Sequence, residues 1–141
     1  MTDKTNNDEF LAMMKEKMSM DYFAALTGIE LVLVKPGYAK TKLEIKKKHL
    51  NATGVVQGGA VFTLADFALA AATNYDTNVA LVIDCQIAFL HPTKEGSTLW
   101  AETEQISDSN SLTSYMIKIL NEENKLVAQY YGRAFKKKNK K

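Results

Sequence analysis

The segment that most constrains this sequence runs from Asn51 to Asn74, where a glycine-bearing loop leads into an almost wholly apolar stretch. Ala60 to Thr73 contains no Pro or Gly, which predicts one buried helix of about four turns. Asp66 carries the one charge in this helix. An ionised carboxylate away from water costs several kcal/mol unless it is paired, and no basic residue lies within a turn of Asp66. We therefore expect Asp66 either to face a wet cleft or to titrate abnormally.

The composition is typical of one globular domain, with 46% hydrophobic and 24% charged residues in a chain of 141. Asp66 interrupts the longest apolar run, so the sequence predicts no membrane span. The acidic residues Asp3, Asp8 and Glu9 are unlike a secretory signal peptide, and we expect a cytoplasmic protein. The single cysteine, Cys85, lies in an apolar strand pattern, which favours a buried, inert thiol.

The net charge of +2 comes from the C-terminus. The last six residues, 136–141, hold five of the 18 basic side chains, which leaves 13 basic against 16 acidic side chains in the rest of the chain. A terminal lysine run of this kind predicts a disordered basic tail. Because the body is mildly acidic and the tail has no interleaved aromatic residues, we expect no nucleic-acid binding.

Short elements are predicted on both sides of the long helix. Helical spacing indicates an amphipathic helix from Asp8 to about Ser19, so residues 1–19 form an N-terminal tail and helix. A second short helix over 21–27 is expected to end at Gly28. Strand patterns occupy the segments 29–34, 39–46, 79–90, 97–107, 111–121 and 125–135.

The connections between these strands predict how they pair. The last four strands are joined by three short connections, which implies an antiparallel meander. Val79 to Leu90 is apolar on both alternating faces apart from Asp84 and Gln86, so we expect it in the middle of a sheet. Because the long helix is too apolar to be solvated on any side, the predicted fold class is α+β. Residues 20–135 would form a single domain in which an antiparallel sheet of five to six strands curls around the helix.

The loop before the helix offers hydrogen-bond donors. Backbone N–H groups at or near Gly58 and Gly59 have no intrahelical partner and lie at the positive end of the helix dipole. Paired glycines also let the carbonyl of another molecule come close. Asp66 lies about 12 Å further along the same helix, too far for both groups to touch one reacting carbon. They could meet only if a twofold dimer placed the loop of one chain beside the helix of the other.

One spaced motif joins the loop to the helix, N-x-x-G-x-x-x-G-G-x-x-x-x-L-x-D, formed by Asn51, Gly54, Gly58, Gly59, Leu64 and Asp66. The motif resembles the hotdog-fold acyl-CoA thioesterases of the phenylacetate-degradation (PaaI-like) type. The resemblance extends to 84–92 and the turn at Gly96, and it covers about residues 20–135. It implies a helix wrapped by an antiparallel sheet and homodimers that often pair into tetramers. It also implies hydrolysis of acyl-CoA at the dimer interface without a metal or cofactor, since coenzyme A is part of the substrate.

The resemblance also implies roles for single residues. Asp66 matches the family's carboxylate, a general base or nucleophile, and Gly58 matches the donor to the thioester carbonyl. Asn51 matches a side chain that positions the water or the carbonyl. Gln57 departs from the family, in which a histidine is common, and it cannot act as an acid. Val82 stands where some relatives have a serine.

Because valine cannot hold a water molecule, water positioning would depend on Asn51, Thr63 or the backbone. We interpret four residues as lining the substrate site: Gln57, Gly59, Thr63 and Val82.

Structural roles remain as alternatives for most of these residues. Asp66 could be a buried acid hydrogen-bonded across a dimer, Asn51 a turn residue, and the two glycines a place of close helix packing. Asp84 and Gln86 share strand parity with Val82 and are expected to bind each other or a neighbouring chain. Two histidines, His49 beside a lysine run and His91 before a proline, are less favoured candidates for a catalytic base. No cluster of residues in the sequence has the spacing of metal ligands.

Three functions compete at this stage. The first is an acyl-CoA thioesterase that uses Asp66, Gly58 and Asn51. The second is a non-catalytic acyl-CoA or lipid-binding module, which would not need the acid. The third is a hotdog hydratase or dehydratase, which would need a histidine opposite the acid, and neither histidine is suitably placed. The acyl group is not identified by the sequence.

Overall fold

The computed structural model describes residues 2–75 and 79–137. Within these ranges two short helices and two strands precede the long helix, and four strands follow it, in the predicted order. The helices are α1 (Thr2–Met18), α2 (Tyr22–Thr27) and α3 (Gly58–Thr73), with a 3₁₀ turn at Lys47–His49. The strands are β1 (Glu30–Lys35), β2 (Tyr38–Glu44), β3 (Val79–Phe89), β4 (Thr98–Asp108), β5 (Leu112–Asn121) and β6 (Leu126–Lys137).

The six strands form one antiparallel sheet in the order β1-β2-β4-β5-β6-β3. α3 contacts every one of them. Six strands side by side span about 24 Å, whereas a helix is only about 10 Å wide, so the sheet has to curl around α3. Nine residues of α3 are buried in the core that results. The predicted α+β fold, a long helix wrapped by an antiparallel sheet, is confirmed.

The expectation that Val79 to Leu90 lies in the middle of the sheet is wrong. Among the described strands, β3 lies at the edge of the sheet and pairs with β6 alone, and most of its residues are exposed. The meander of four strands is wrong as well, since only β4, β5 and β6 follow one another in the sheet. The chain after β3 crosses to the end of β2, where the Ile45 N–H donates to the Ser97 oxygen at 2.8 Å. β4 therefore starts beside β2 and not beside β3.

The N-terminal helices pack on different parts of the fold: α1 contacts β1, and α2 contacts α3. α1 begins at Thr2, earlier than the predicted start at Asp8, and its buried Met14 and Met18 lie on the side that contacts β1. α2 is capped by Asp21, whose side chain accepts from the Ala24 N–H at 3.0 Å. It ends at Gly28, where φ is 95°, as the sequence predicts. None of the helices in the described part of the chain is long and apolar enough to cross a membrane.

The C-terminal strand is longer than predicted. β6 continues to Lys137, so the first two residues of the predicted tail, 136–141, belong to a strand. Lys136 Nζ donates to Asp108 Oδ1 at 2.7 Å, which ties this end of β6 to the end of β4. Residues 138–141 lie outside the described residues.

Candidate active site

α3 has a buried side and a partly open side. The buried side packs on the sheet, whereas a stripe along the other side keeps part of its surface in solvent. The members of this stripe include Gly59, Phe62, Thr63, Asp66 and Ala70. Asp66 is therefore half-buried, at the margin of the core. This position is intermediate between full exposure and full burial.

Asp66 makes one side-chain hydrogen bond. Its Oδ1 accepts from the Tyr130 hydroxyl at 3.1 Å. No other donor and no ion pair reaches its side chain among the residues that the structure describes. Burial raises the pKa of Asp66, the hydrogen bond from Tyr130 lowers it, and the nearby charge of Asp21 raises it, with an increase as the net result. A carboxylate with a raised pKa and a free oxygen is well suited to take a proton.

Tyr130 is the member of the site that sequence reasoning missed. It lies on β6 with 0% of its surface exposed, and its ring packs edge-on against Phe62 with ring centres 5.5 Å apart. Burial raises the pKa of Tyr130 well above its usual value, and Asp66 and Cys85 raise it further. One signal was available in the sequence, because a tyrosine at a buried strand position needs a partner for its hydroxyl. The sequence does not show which partner that is.

Cys85 lies next to this pair. It is opposite Gly132 in the register of β3 and β6, and its thiol is close enough to the Tyr130 hydroxyl to raise the pKa of that phenol. Cys85 is exposed, so the expectation of a buried thiol is wrong. The physical reason is the edge position of β3, which leaves this part of the strand uncovered.

A bulge at Ile83 changes the faces of β3. Val82 pairs with Ala134, whereas Asp84 pairs with Arg133, so Val82 and Asp84 lie on opposite faces of the sheet. The interpretation that they share a face is wrong for this reason. Val82 lies on the face turned towards α3, while Asp84 Oδ2 accepts from Arg133 Nη2 at 2.5 Å on the outer face.

The N-terminus of α3 keeps one donor open. Gln57 is the N-cap residue, and its Oε1 accepts from the Gly59 N–H at 2.8 Å. The Gly58 N–H has no acceptor among the described residues. A Cβ at position 58 would lie 2.9 Å from Phe89 Cζ, so the ring of Phe89 already fills the space next to this backbone. Of the two glycines, Gly58 is therefore the one whose N–H can bind a ligand.

Asn51 shapes the loop with its side-chain oxygen. Asn51 Oδ1 accepts from the Thr53 N–H at 2.9 Å, from the Thr53 hydroxyl at 2.8 Å and from the Val55 N–H at 3.3 Å. This is the turn role that the sequence left open. The Nδ2 group has no acceptor in the described part of the chain, so only this amide is available to a ligand.

The predicted site residues fall into separate depressions. Asn51 and Gly58 line one of about 410 Å³, together with Phe89 and His91. On the other side of the loop a depression of about 490 Å³ is lined by Phe23, Gln57, Gly59, Phe62 and Thr63. Asp66 lines neither of them. Neither of these two depressions therefore contains both the predicted donor and the predicted acid.

The hydroxyl proton of Thr63 is already used in a hydrogen bond within α3. Its hydroxyl donates to the Gly59 oxygen at 2.7 Å, one turn earlier in α3. The hydroxyl oxygen can still accept a hydrogen bond from water or from a ligand. Thr63 is therefore suited to accept from a water molecule and not to donate to one.

His49 has a structural role. Its Nδ1 accepts from the Lys46 N–H at 2.9 Å and its Nε2 lies 2.6 Å from the Thr27 oxygen, to which it donates in this tautomer. Both ring nitrogens are thus used to tie the loop to the end of α2. His91 is exposed and makes no side-chain hydrogen bond to the described residues. The structure also shows no group of three or more His, Cys, Asp and Glu residues that could hold a metal within the described ranges.

Comparisons with known proteins agree with the resemblance in the motif. The thioesterase superfamily matches residues 53–128. The acyl-coenzyme A thioesterase PaaI of Escherichia coli K12 is 32% identical over 114 residues, which cover 81% of each chain. A putative esterase of Archaeoglobus fulgidus is 35% identical over 116 residues, 82% of this chain and 75% of the relative. The solved structure of E. coli PaaI, a protein of the phenylacetic acid degradation operon, superposes with a TM-score of 0.80 at 27% identity, covering 90% of this chain and 96% of that one.

Proposed function

Since the chain belongs to the thioesterase superfamily, as a thioester hydrolase of the PaaI-like hotdog type, we propose that it hydrolyses an acyl-CoA thioester at a site formed by two subunits. The products are a free acid and coenzyme A. In this proposal Asp66 acts as general base or nucleophile, and the chemistry requires only protein groups and water.

The observation that carries the proposal is the state of Asp66. The carboxylate lies half-buried on the open side of α3 with a raised pKa, and no cation pairs with it among the described residues. Its Oδ2 has no donor in the described part of the chain, so its lone pairs are available. A structural acid would be expected to have its oxygens satisfied, whereas a general base needs one free oxygen within reach of water.

The loop supplies the complementary charge. We assign the oxyanion contact to the Gly58 N–H, because the Gly59 N–H already donates to Gln57. The Asn51 Nδ2 group is a second donor beside it, in the same depression. Two donors at the positive end of α3 would stabilise the negative charge that develops on the thioester oxygen. Gln57 serves this site by capping the helix, a task that does not require the proton of a histidine.

The edge strand suggests how two subunits meet. No described strand pairs with one backbone edge of β3, and the strand exposes several large apolar side chains, namely Val79, Leu81, Val82, Ile83 and Phe89. An apolar unpaired edge is unfavourable in a free subunit, because it can pair with any other strand. A second copy of the chain that pairs its own β3 antiparallel to this strand would cover the edge and extend the sheet across the dimer.

This arrangement would also assemble the site. α3 and β3 run side by side in opposite directions, with Gly58 against Phe89 at one end and Asn74 accepting from the Ala80 N–H at the other. Asp66 lies between these ends. A twofold axis lays the carboxyl end of one β3 beside the amino half of the other. In such a dimer the glycine loop of the partner subunit would lie further along α3 than the chain's own loop, close to Asp66 and Val82.

The remaining expectations concern the substrate, the oligomeric state and the location of the protein in the cell. The name of the E. coli relative supports acyl-CoA as the substrate class. The depression that contains Phe23, Phe62 and Thr63 is a candidate for the acyl group, because two aromatic rings line it. Lys48 also lines this depression, and its Nζ donates to the Leu26 oxygen at 3.1 Å, so a positive charge is held beside the proposed acyl site. Pairing of dimers into tetramers and a cytoplasmic location stay predictions.

The experiment that tests the proposal is thiol release from a panel of aryl-, short-, medium- and long-chain acyl-CoAs, with wild type beside Asp66→Asn. We expect turnover of at least one class and a loss of roughly 10² to 10⁴ in rate in the variant, the range for a positioned base. A variant with wild-type activity would remove Asp66 from the mechanism. A folded wild type that binds acyl-CoA without turnover on any member would favour the binding-module interpretation instead.

A further inference from the structure

Tyr130 binds Asp66 from the side of the sheet and lines neither of the two depressions beside the glycine loop. It is fully buried in β6, and its hydroxyl lies 3.1 Å from Asp66 Oδ1. A buried phenol must find an acceptor, and a carboxylate is the strongest one nearby. When Asp66 is ionised, Tyr130 is the donor of this hydrogen bond, because an ionised carboxylate can only accept.

The ring of Tyr130 is held in place from two sides. Phe62 packs against it edge-on at an angle of 66°. On β6 itself, Gly132 provides the space that the ring needs, since a Cβ at this position would lie 2.6 Å from Tyr130 Cε1 and 3.0 Å from its hydroxyl oxygen. The same Cβ would lie 2.8 Å from Leu69 Cδ2. The hydroxyl therefore sits at a fixed point below α3, and the carboxyl group that it binds cannot rotate without losing the bond.

We propose that Tyr130 is a positioning residue, which holds Asp66 by Oδ1 and so presents Oδ2 to the water or thioester. This inference rests on the proposed role of Asp66. A carboxylate that rotates freely presents either oxygen in many directions, whereas one tethered by Oδ1 keeps Oδ2 in a single direction. Orientation of this kind lowers the entropy that has to be lost on reaching the transition state.

The same hydrogen bond favours the ionised form of Asp66. Three titratable groups face this site from different elements: Tyr130 on β6, Asp21 before α2, and Cys85 on β3 next to the Tyr130 hydroxyl. Burial and Asp21 raise the pKa of Asp66, and Tyr130 is the group that lowers it. The pKa of Tyr130 is itself raised, so the phenol remains a donor throughout the working range of the enzyme. Without Tyr130, a larger fraction of Asp66 would be protonated and unable to act as a base.

The test compares Tyr130→Phe with Tyr131→Phe, which removes a hydroxyl from the next residue, 37% exposed and on the other face of β6. In Tyr130→Phe we expect kcat to fall about 10- to 100-fold, the range for loss of a hydrogen bond to a charged group, with little change in KM. The acid limb of the pH profile of kcat/KM should move to higher pH. Tyr131→Phe should resemble wild type in both. A Tyr130→Phe enzyme with wild-type kcat and pH profile, or with lower kcat and an unmoved acid limb, would overturn the proposal.

A second measurement separates this inference from the proposed function. NMR titration of the Asp66 carboxyl carbon reads the pKa directly and requires no turnover. We expect a higher pKa in Tyr130→Phe than in wild type, even if every acyl-CoA tested proves not to be a substrate. In wild type the Tyr130 hydroxyl proton should exchange slowly and should shift in Asp66→Asn, which gives a reading that does not depend on folding of Tyr130→Phe. An Asp66 pKa that is equal in both proteins, or a freely exchanging hydroxyl, would contradict the proposal.

Discussion

The amino end of α3 and its middle are opposites within one helix. At the amino end the backbone is exposed, the glycines carry no side chains, and the open Gly58 N–H lies at the positive end of the dipole. In the middle Asp66 is half-buried, its pKa is raised, and a buried tyrosine holds one of its oxygens. One end offers donors to a developing negative charge, and the other offers an acceptor for a proton.

In our proposal one chain is insufficient for catalysis, because the two ends of α3 cannot reach the same thioester. A helix is rigid, so Gly58 and Asp66 remain about 12 Å apart whatever the side chains do. In our proposal a second subunit supplies the missing partner to each, and β3 supplies the edge through which the subunits pair. The donor half of the site, at Gly58, and the acid half, at Asp66, can be disrupted or recombined separately.

The largest effect is expected from a charge on the edge strand. Ile83 is 54% exposed and lies at the bulge of β3, where a lysine would oppose pairing with a second copy. We expect Ile83→Lys to be a folded monomer, with kcat/KM reduced by more than about 10² because each site loses its partner's oxyanion donor. Light scattering and thiol release measure the two consequences.

The opposite edge of the sheet provides the control. Leu33 on β1 is 50% exposed at the other end of the same sheet, so Leu33→Lys adds the same charge at similar exposure. We expect this variant to remain dimeric and active. A fully active Ile83→Lys monomer would show that both halves of the site come from one chain.

The next effect concerns the donor half alone. A Cβ at Gly58 would lie 2.9 Å from Phe89 Cζ and would push the loop away from its ligand, so Gly58→Ala should cost about 10² to 10³ in kcat. Gly59→Ala is the matched variant. Its Cβ would lie 2.5 Å from Gln57 Oε1, the far end of a flexible side chain that can move aside. Such a move gives up the hydrogen bond from the Gly59 N–H to Gln57 but leaves the Gly58 N–H in place, so the loss should be clearly smaller. Equal losses in the two variants would mean that the assignment to Gly58 is wrong.

The two halves can also be brought back together. If Gly58→Ala and Asp66→Asn chains are co-expressed, half of the dimers are mixed, and each of these contains one site with both native groups. About one quarter of wild-type activity should therefore return. Thiol release by the co-expressed mixture measures it, and the purified mixed dimer should reach about one half. A mixture no more active than its components would indicate that the site is built within one chain.

The smallest effect is on stability. Burial raises the folded-state pKa of Asp66 above its ordinary value of 3.8, so between these two values the folded state binds more protons than the unfolded state. Stability contributed by this group is consequently lost as the pH rises through that window. We expect Asp66→Asn to melt at a higher temperature than wild type at neutral pH, with a difference that shrinks as the pH falls towards the unfolded-state value. Thermal unfolding at several pH values measures this, and a less stable variant at neutral pH would contradict it.

Local patterns were sufficient for much of the fold. The apolar run at 60–73, the expected helix end at Gly28 and the strand pattern at 39–46 predicted elements that the structure confirms within a few residues. Asp66 was identified because one charge in an apolar helix is conspicuous without any knowledge of its neighbours. The partners of that charge were not predictable in the same way, because Tyr130 is separated from Asp66 by 64 positions in the chain.

Two errors of prediction have a common cause. β3 is as apolar as a central strand, so its composition indicated the middle of the sheet, whereas the structure places it at the edge. Composition reports how much apolar surface a strand has to bury and does not report which chain buries it. The bulge at Ile83 is a similar case, since one unpaired residue reversed the faces that strict alternation assigned to Val82 and Asp84.

The helices and strands, the apolar character of α3, the glycine loop and the acid could all be predicted from the sequence, because these features depend on residues within a few positions of one another. The tertiary structure alone decided the strand order, the edge position of β3, the contact between Tyr130 and Asp66, and which glycine keeps a free N–H. Those features depend on atoms that meet only after the sheet has closed around α3. A pattern along one strand or helix contains no information about the strand that will lie beside it.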